Sequence, residues 1–162
     1  MAHAIRKAAP ADHAEWLRLR CALWPDCPAE EHVCEMANIM TRLADQVVFV
    51  VERADGRLAG FIEASIHATA AGCETSPVGY VEGWYVDPDT RRSDIGRALM
   101  ARAEEWAVER GCREMASDAL PENGESIAAH KACGYAEVER LVHFRKSLVT
   151  SAASIVADGS GI

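Results

Sequence analysis

Residues 46–53, QVVFVVER, are a β-branched apolar run that ends at Ala54-Asp55-Gly56-Arg57, and residues 58–67 return with the same strand character. Asp-Gly between two such runs is a strong short-range hairpin signal. A further strand, 79–86 (GYVEGWYV), follows the small, polar loop 68–77 and stops at Asp87-Pro88-Asp89. The period then changes. Ile95, Leu99, Ala103 and Trp106 recur on one helical stripe until Gly111 ends it. Antiparallel strands followed by helix crossovers imply a mixed sheet with helices on both faces.

The remaining elements fit this frame. A first short strand spans 3–7 (β1). A helix opens at Pro10-Ala11-Asp12, with Asp12 as its cap and Glu15 at the capping-box position, and Pro25 closes it (α1). A second helix spans 28–43 (α2), with Glu30 and Glu31 near its positive N-terminus. The hairpin strands are β2 (46–53) and β3 (58–67), followed by β4 (79–86) and the helix from Ile95 (α3). Strand 113–119 (β5), helix 126–133 (α4) and one or two strands within 136–146 (β6, β7) complete an α/β chain of order β1-α1-α2-β2-β3-β4-α3-β5-α4-β6-β7. One domain over 1–146 is expected, with 147–162 a frayed, Gly/Ser-tipped tail.

Composition narrows the class. At 162 residues and 49% hydrophobic, the chain can bury one core and is neither disordered nor a stapled mini-protein. The apolar run Val47–Val51 is far short of the roughly 20 residues that span a bilayer. No basic segment followed by an apolar one opens the chain, so no signal peptide is expected. A net charge of −8 argues against a nucleic-acid partner and favours cationic ones. Six cysteines, none in a C-x-x-C pair, read as reduced thiols of a cytoplasmic protein; no metal is expected.

The sharpest segment runs from Tyr85 to Leu99, YVDPDTRRSDIGRAL. A strand ends, a basic turn follows, and a helix opens near Gly96. Backbone N–H groups of such a turn, together with a helix N-terminus, make a nest for phosphate. Gly96 would let the backbone approach that anion, and Arg91, Arg92 and Arg97 add positive charge to an acidic protein. A solvated loop capped by arginines is the alternative.

Val86-Asp87-Pro88 followed by Arg91-Arg92-Ser93-Asp94-Ile95-Gly96-Arg97 resembles the acyl-CoA signature of the GCN5-related N-acetyltransferases (GNAT), R/Q-x-x-G-x-G/A, with Asp94 at the first glycine. The element order matches that family's acyl-CoA N-acyltransferase fold over about residues 3–146. Four dispersed blocks carry a finer likeness: Ala22–Pro25, Gly72–Val78, Glu82-Gly83 and Gly111–Asp118. Together they resemble aminoglycoside 6'-N-acetyltransferases.

The resemblance implies acetyl-CoA as co-substrate, bound at Trp84, Tyr85, Val86, Arg91, Arg92, Ser93, Asp94, Ile95, Gly96, Arg97 and Asn123. It implies a cationic aminoglycoside held by Trp24, Thr69, Glu82, Asp118 and Glu139, and a homodimer formed through late strands. Each residue has a second reading: Glu82 as the cross-strand partner of an arginine, Asp118 or Asn123 as a helix cap, Trp24 as core, and Glu139 as a solvated face. Other polyamines or peptide amines, or acyl-CoA binding without catalysis, remain alternatives.

Acetyl transfer requires a neutral amine, and an alkylammonium titrates near about 10.4. Asp118, aided by Glu82, is the candidate base. The family's late-helix acid stands four residues before a Gly-aromatic pair; here the pair is Gly134-Tyr135 and the position is His130.

Overall fold

The computed structural model describes residues 4–149. It has the strands β1 (Ile5–Lys7), β2 (Gln46–Glu52), β3 (Leu58–His67), β4 (Val78–Val86) and β5 (Met115–Ser117). The helices are α1 (His13–Leu23), α2 (Ala29–Thr41), α3 (Ile95–Glu109) and α4 (Gly124–Ala132). The strands form one sheet in the order β1-β2-β3-β4-β5. The first four pair antiparallel and β5 joins β4 in parallel, as expected of hairpins followed by a helix crossover.

Each face of the sheet buries its own apolar layer. On one face Phe49, Ile62 and Val81 pack against Ile95, Leu99, Ala103 and Trp106 of α3, all at most 3% exposed. This is the stripe that the helical period marked. On the other face Val48, Val50 and Phe61 pack against Trp16, Leu19 and Met36 of α1 and α2.

Two expectations are corrected. Asp12 does not cap α1 with its side chain. Its carboxylate takes Arg6 at 2.6 and 2.8 Å and the Ala9 N–H at 2.7 Å. A fork of two charge-assisted bonds outweighs a single cap. Glu15 likewise turns away, to Arg18 and the Leu58 N–H. Second, no strand forms in 136–146. The alternating pattern is present, but a strand needs a neighbour, and this segment lies exposed, with Leu141, Val142 and Phe144 60%, 78% and 93% accessible. The expected tail lies, from residue 150 onward, outside the described residues.

Candidate active site

The β4–β5 ladder is short. Gly79, Tyr80 and Val81 pair with Met115, Ala116 and Ser117, and pairing then stops. The next residue on β4 is Glu82 and the next after β5 is Asp118, so the two carboxylates flank the point where the strands part. Glu82 is also the extra residue of a bulge, since Gly83 faces Glu63 and Val81 faces Ala64 across β3. A bulge re-aims side chains. Here Val81 packs against the α3 layer, whereas Glu82 turns toward the α1–α2 side and Gly83 meets Trp24 there.

That side holds a cleft of about 1020 Å³. Trp24, Asp26, Glu35 and Glu82 line it. Trp24 is held from behind: the Arg20 guanidinium lies 4.9 Å from its ring centroid and His32 stacks on it at 6.0 Å. In front, a Cβ on Gly83 would stand 2.5 Å from the Trp24 ring, so the ring rests on bare backbone. Arg20 is buried, and one of its nitrogens lies 2.7 Å from both oxygens of buried Glu63. Glu63 also accepts from the Trp16 indole at 2.8 Å. Burial pushes the Glu63 carboxyl up, against the opposing pull of Arg20.

Glu82 does not pair with an arginine. Its carboxylate accepts from the Ser65 hydroxyl and lies 2.7 Å from His67 Nε2. Asp118, exposed, accepts from the Tyr80 hydroxyl at 3.0 Å. Burial, then Asp118, hold that phenol well above its usual range, so it stays a donor. On α4, His130 Nδ1 lies 2.7 Å from the Ser126 carbonyl, which can only accept; the ring hydrogen is therefore on Nδ1 and Nε2 is open to the Ser117 hydroxyl at 2.9 Å. Tyr135, whose hydroxyl reaches the Met100 sulfur, is driven upward by burial.

The basic turn forms as a strained link. Arg92 and Asp94 take φ of +65° and +60°, the left-handed region. Behind it, Arg53 and Arg18 fix Asp87, and Arg53 also holds Asp89. The first backbone bond of α3 runs from the Ala98 N–H to Asp94, which leaves the N–H groups of Ile95, Gly96 and Arg97 without backbone acceptors. Arg91 is engaged by the Val86 carbonyl and Glu125, and Ser93 donates to the Thr90 carbonyl. Arg92 and Arg97 enter no salt bridge among the described residues. The contact seen at Gly96 is with a side chain: a Cβ there would meet the Trp84 indole at 3.1 Å. The turn's two uncommitted arginines and three open N–H groups suit a polyphosphate. The edge of β4 from 82 to 86, left unpaired by β5, suits an extended arm.

Three expected residues stand apart. Asn123 caps α4, accepting the Ser126 N–H at 3.0 Å. Thr69 and Glu139 are exposed and do not line the cleft; Asp118, also exposed, stands at the strand gap but is not part of the cleft lining either. Sequence reasoning missed Arg20, Glu63, Ser65, His67 and Tyr80. The alternation Glu63, Ser65, His67 along β3 was a readable signal of one polar face.

Residues 13–135 match the acetyltransferase (GNAT) family. The chain belongs to that family. Among GNAT relatives, the aminoglycoside N(6')-acetyltransferase type 1 of Stenotrophomonas maltophilia is 46% identical over 151 residues, 91% of this chain and 95% of that protein. The enzyme of the same name from Klebsiella aerogenes is 41% identical, with 89% and 96% covered. A solved structure of AAC(6')-Iy with the bisubstrate analogue CoA-S-monomethyl-acetylneamine superposes with a TM-score of 0.83 at 36% identity, covering 91% of this chain and 99% of that one. The aminoglycoside 6'-N-acetyltransferase AAC(6')-Ih from Acinetobacter baumannii gives the same score.

Proposed function

We propose that this acetyltransferase moves the acetyl group of acetyl-CoA to the 6'-amino group of aminoglycosides, inactivating them. The observation that carries the reading is the pair Glu82 and Asp118 at the parting of β4 and β5, between an anion-binding turn and a cleft with an acidic rim. The names of the relatives support the substrate class.

In this reading Arg92, Arg97 and the first N–H groups of α3 hold the cofactor's phosphates. The open edge at Trp84, Tyr85 and Val86 aligns its arm, and an amide near Val86 polarises the acyl carbonyl. Bound there, acetyl-CoA supplies an activated thioester. Trp24 provides a wall for the sugar rings, and the carboxylates take ammonium groups through charge-assisted bonds. On sequence, Asp118, aided by Glu82, is the candidate base; because Glu82 lines the cleft and Asp118 does not, we assign the removal of the proton that blocks attack by the amine to Glu82, with Asp118 across the gap. His130, whose Nδ1–H is held by the Ser126 carbonyl, serves the departing thiolate as acid only in its imidazolium form, giving the proton from Nε2 beside Ser117. Holding both substrates in one gap supplies much of the rate.

Six free cysteines favour a reducing, cytoplasmic setting, and the charge of −8 favours a polycation over nucleic acid. Among the described residues, no helix is long and apolar enough to cross a membrane. We also assign the unpaired segment 136–149 to a homodimer interface, in which its apolar face is covered by a second copy; Glu139, carried on it, would then approach a cleft only in the assembly.

A thiol-release assay with acetyl-CoA tests the function. Turnover with 6'-amino aminoglycosides and none with 6'-hydroxyl analogues supports it. Turnover confined to simple polyamines, or CoA binding without turnover, overturns it. Glu82→Gln and Asp118→Asn are each expected to lower kcat by about 100-fold; full activity of both across pH would remove the carboxylates from the reaction.

A further inference from the structure

Ser65 and His67 stand two residues apart on β3 and so share a face. Both reach Glu82 across the β3–β4 ladder: the Ser65 hydroxyl donates to its carboxylate, and His67 Nε2 lies 2.7 Å from Oε1 and 2.9 Å from Ser65 Oγ. An ionised carboxylate only accepts, so Nε2 carries a hydrogen there. The imidazole is itself seated, stacked on the Tyr80 ring at 4.5 Å between centroids and 11° between planes, while Tyr80 donates to Asp118. Glu82 needs such a clamp. It sits on a bulge where β5 has already left, so no neighbouring strand confines its side chain on that side.

We propose that His67 is a positioning residue for amine deprotonation: its Nε2–H holds the Glu82 carboxylate in the mouth of the strand gap. The proposal rests on the acetyl-transfer reading above. In the step it serves, an ammonium N–H bond of the substrate breaks, the electron pair stays on nitrogen, and the proton passes to a Glu82 oxygen and on to water. Neutral His67 steadies the carboxylate. The groups facing the imidazole are Ser65 on its own strand, Tyr80 and Glu82 on β4, and Asp118 through Tyr80; Gln46, opposite Ser65 on β2, is uncharged.

The test is kcat/KM against pH for a 6'-amino aminoglycoside, with KM for acetyl-CoA measured alongside. His67→Gln, which keeps a neutral donor, is expected to hold the wild-type rate within about threefold across the profile. His67→Ala is expected to lose about tenfold with an unchanged acetyl-CoA KM. Wild-type rates and profiles in both variants would overturn the proposal. A second measurement needs no turnover. The 15N resonance of His67 Nε2 should move in Glu82→Gln; an unmoved resonance overturns the clamp. A chain that failed to acetylate aminoglycosides yet showed this movement would refute the substrate reading and leave the clamp standing.

Discussion

Two single residues carry much of what distinguishes this site. Asp94 occupies a left-handed position that the family signature gives to glycine, at φ +60°. A side chain there costs about 1–2 kcal/mol, and aspartate bears it better than most. Asp94→Gly is therefore expected to raise stability by up to about 1 kcal/mol and, by removing a negative charge from the proposed phosphate site, to tighten CoA about fivefold. Chemical denaturation and calorimetric titration with CoA check both. Gly83 is the second. Its missing side chain is the space on which Trp24 lies, so Gly83→Ala pushes the ring into the cleft. Aminoglycoside KM should rise about tenfold while acetyl-CoA KM stays put; steady-state kinetics with each substrate varied in turn would show it.

At the scale of elements, α1 and α2 are joined to the sheet by a buried charge cluster rather than by apolar packing alone. Arg20 of α1 reaches Glu63 of β3 and Glu35 of α2, and its flat face supports Trp24. Arg20→Met would leave Glu63 buried without its partner, at a cost of about 3–5 kcal/mol. The double variant Arg20→Met, Glu63→Met should recover most of that stability but not the aminoglycoside KM, because the ring support is gone. Urea unfolding and kinetics on the same preparations separate the two effects. This cluster shows where sequence reading stops. A lone Arg20 in a helix and a lone Glu63 in a strand have no visible relation, for 43 residues separate them. The elements themselves were legible because local period and turn residues specify them: the Asp55-Gly56 hairpin, the Ile95–Trp106 stripe and the stops before Gly111 and Gly134 all match within a few residues. The strands expected in 136–146 did not form because the pattern names a strand but not its neighbour.

For the molecule as a whole, acid should act through its paired carboxylates. Arg6 holds Asp12, and Arg18 holds Glu15, below the usual carboxylate range. Groups with lowered native values stabilise the fold above their unfolded values, near about 4, and lose that contribution as pH falls through the native ones. Thermal melting should thus fall steadily below about pH 5, with Arg6→Met flattening the slope. The exposed apolar segment yields a second expectation at this scale. Phe144, 93% accessible in one chain, should be covered in a dimer, and Phe144→Asp should shift the protein toward monomer in sedimentation equilibrium.

Sequence alone determined the layered mixed sheet, the basic turn and the family, because each depends on neighbours within one or two turns of chain or on short linear blocks. It also singled out Glu82 and Asp118. Only the tertiary structure decided what those carboxylates touch, that Trp24 is braced by Arg20 and His32, and that Thr69 and Glu139 lie away from the cleft. Such contacts join residues distant in sequence, and a side chain's partner is set by register, bulge and packing, which no local pattern encodes.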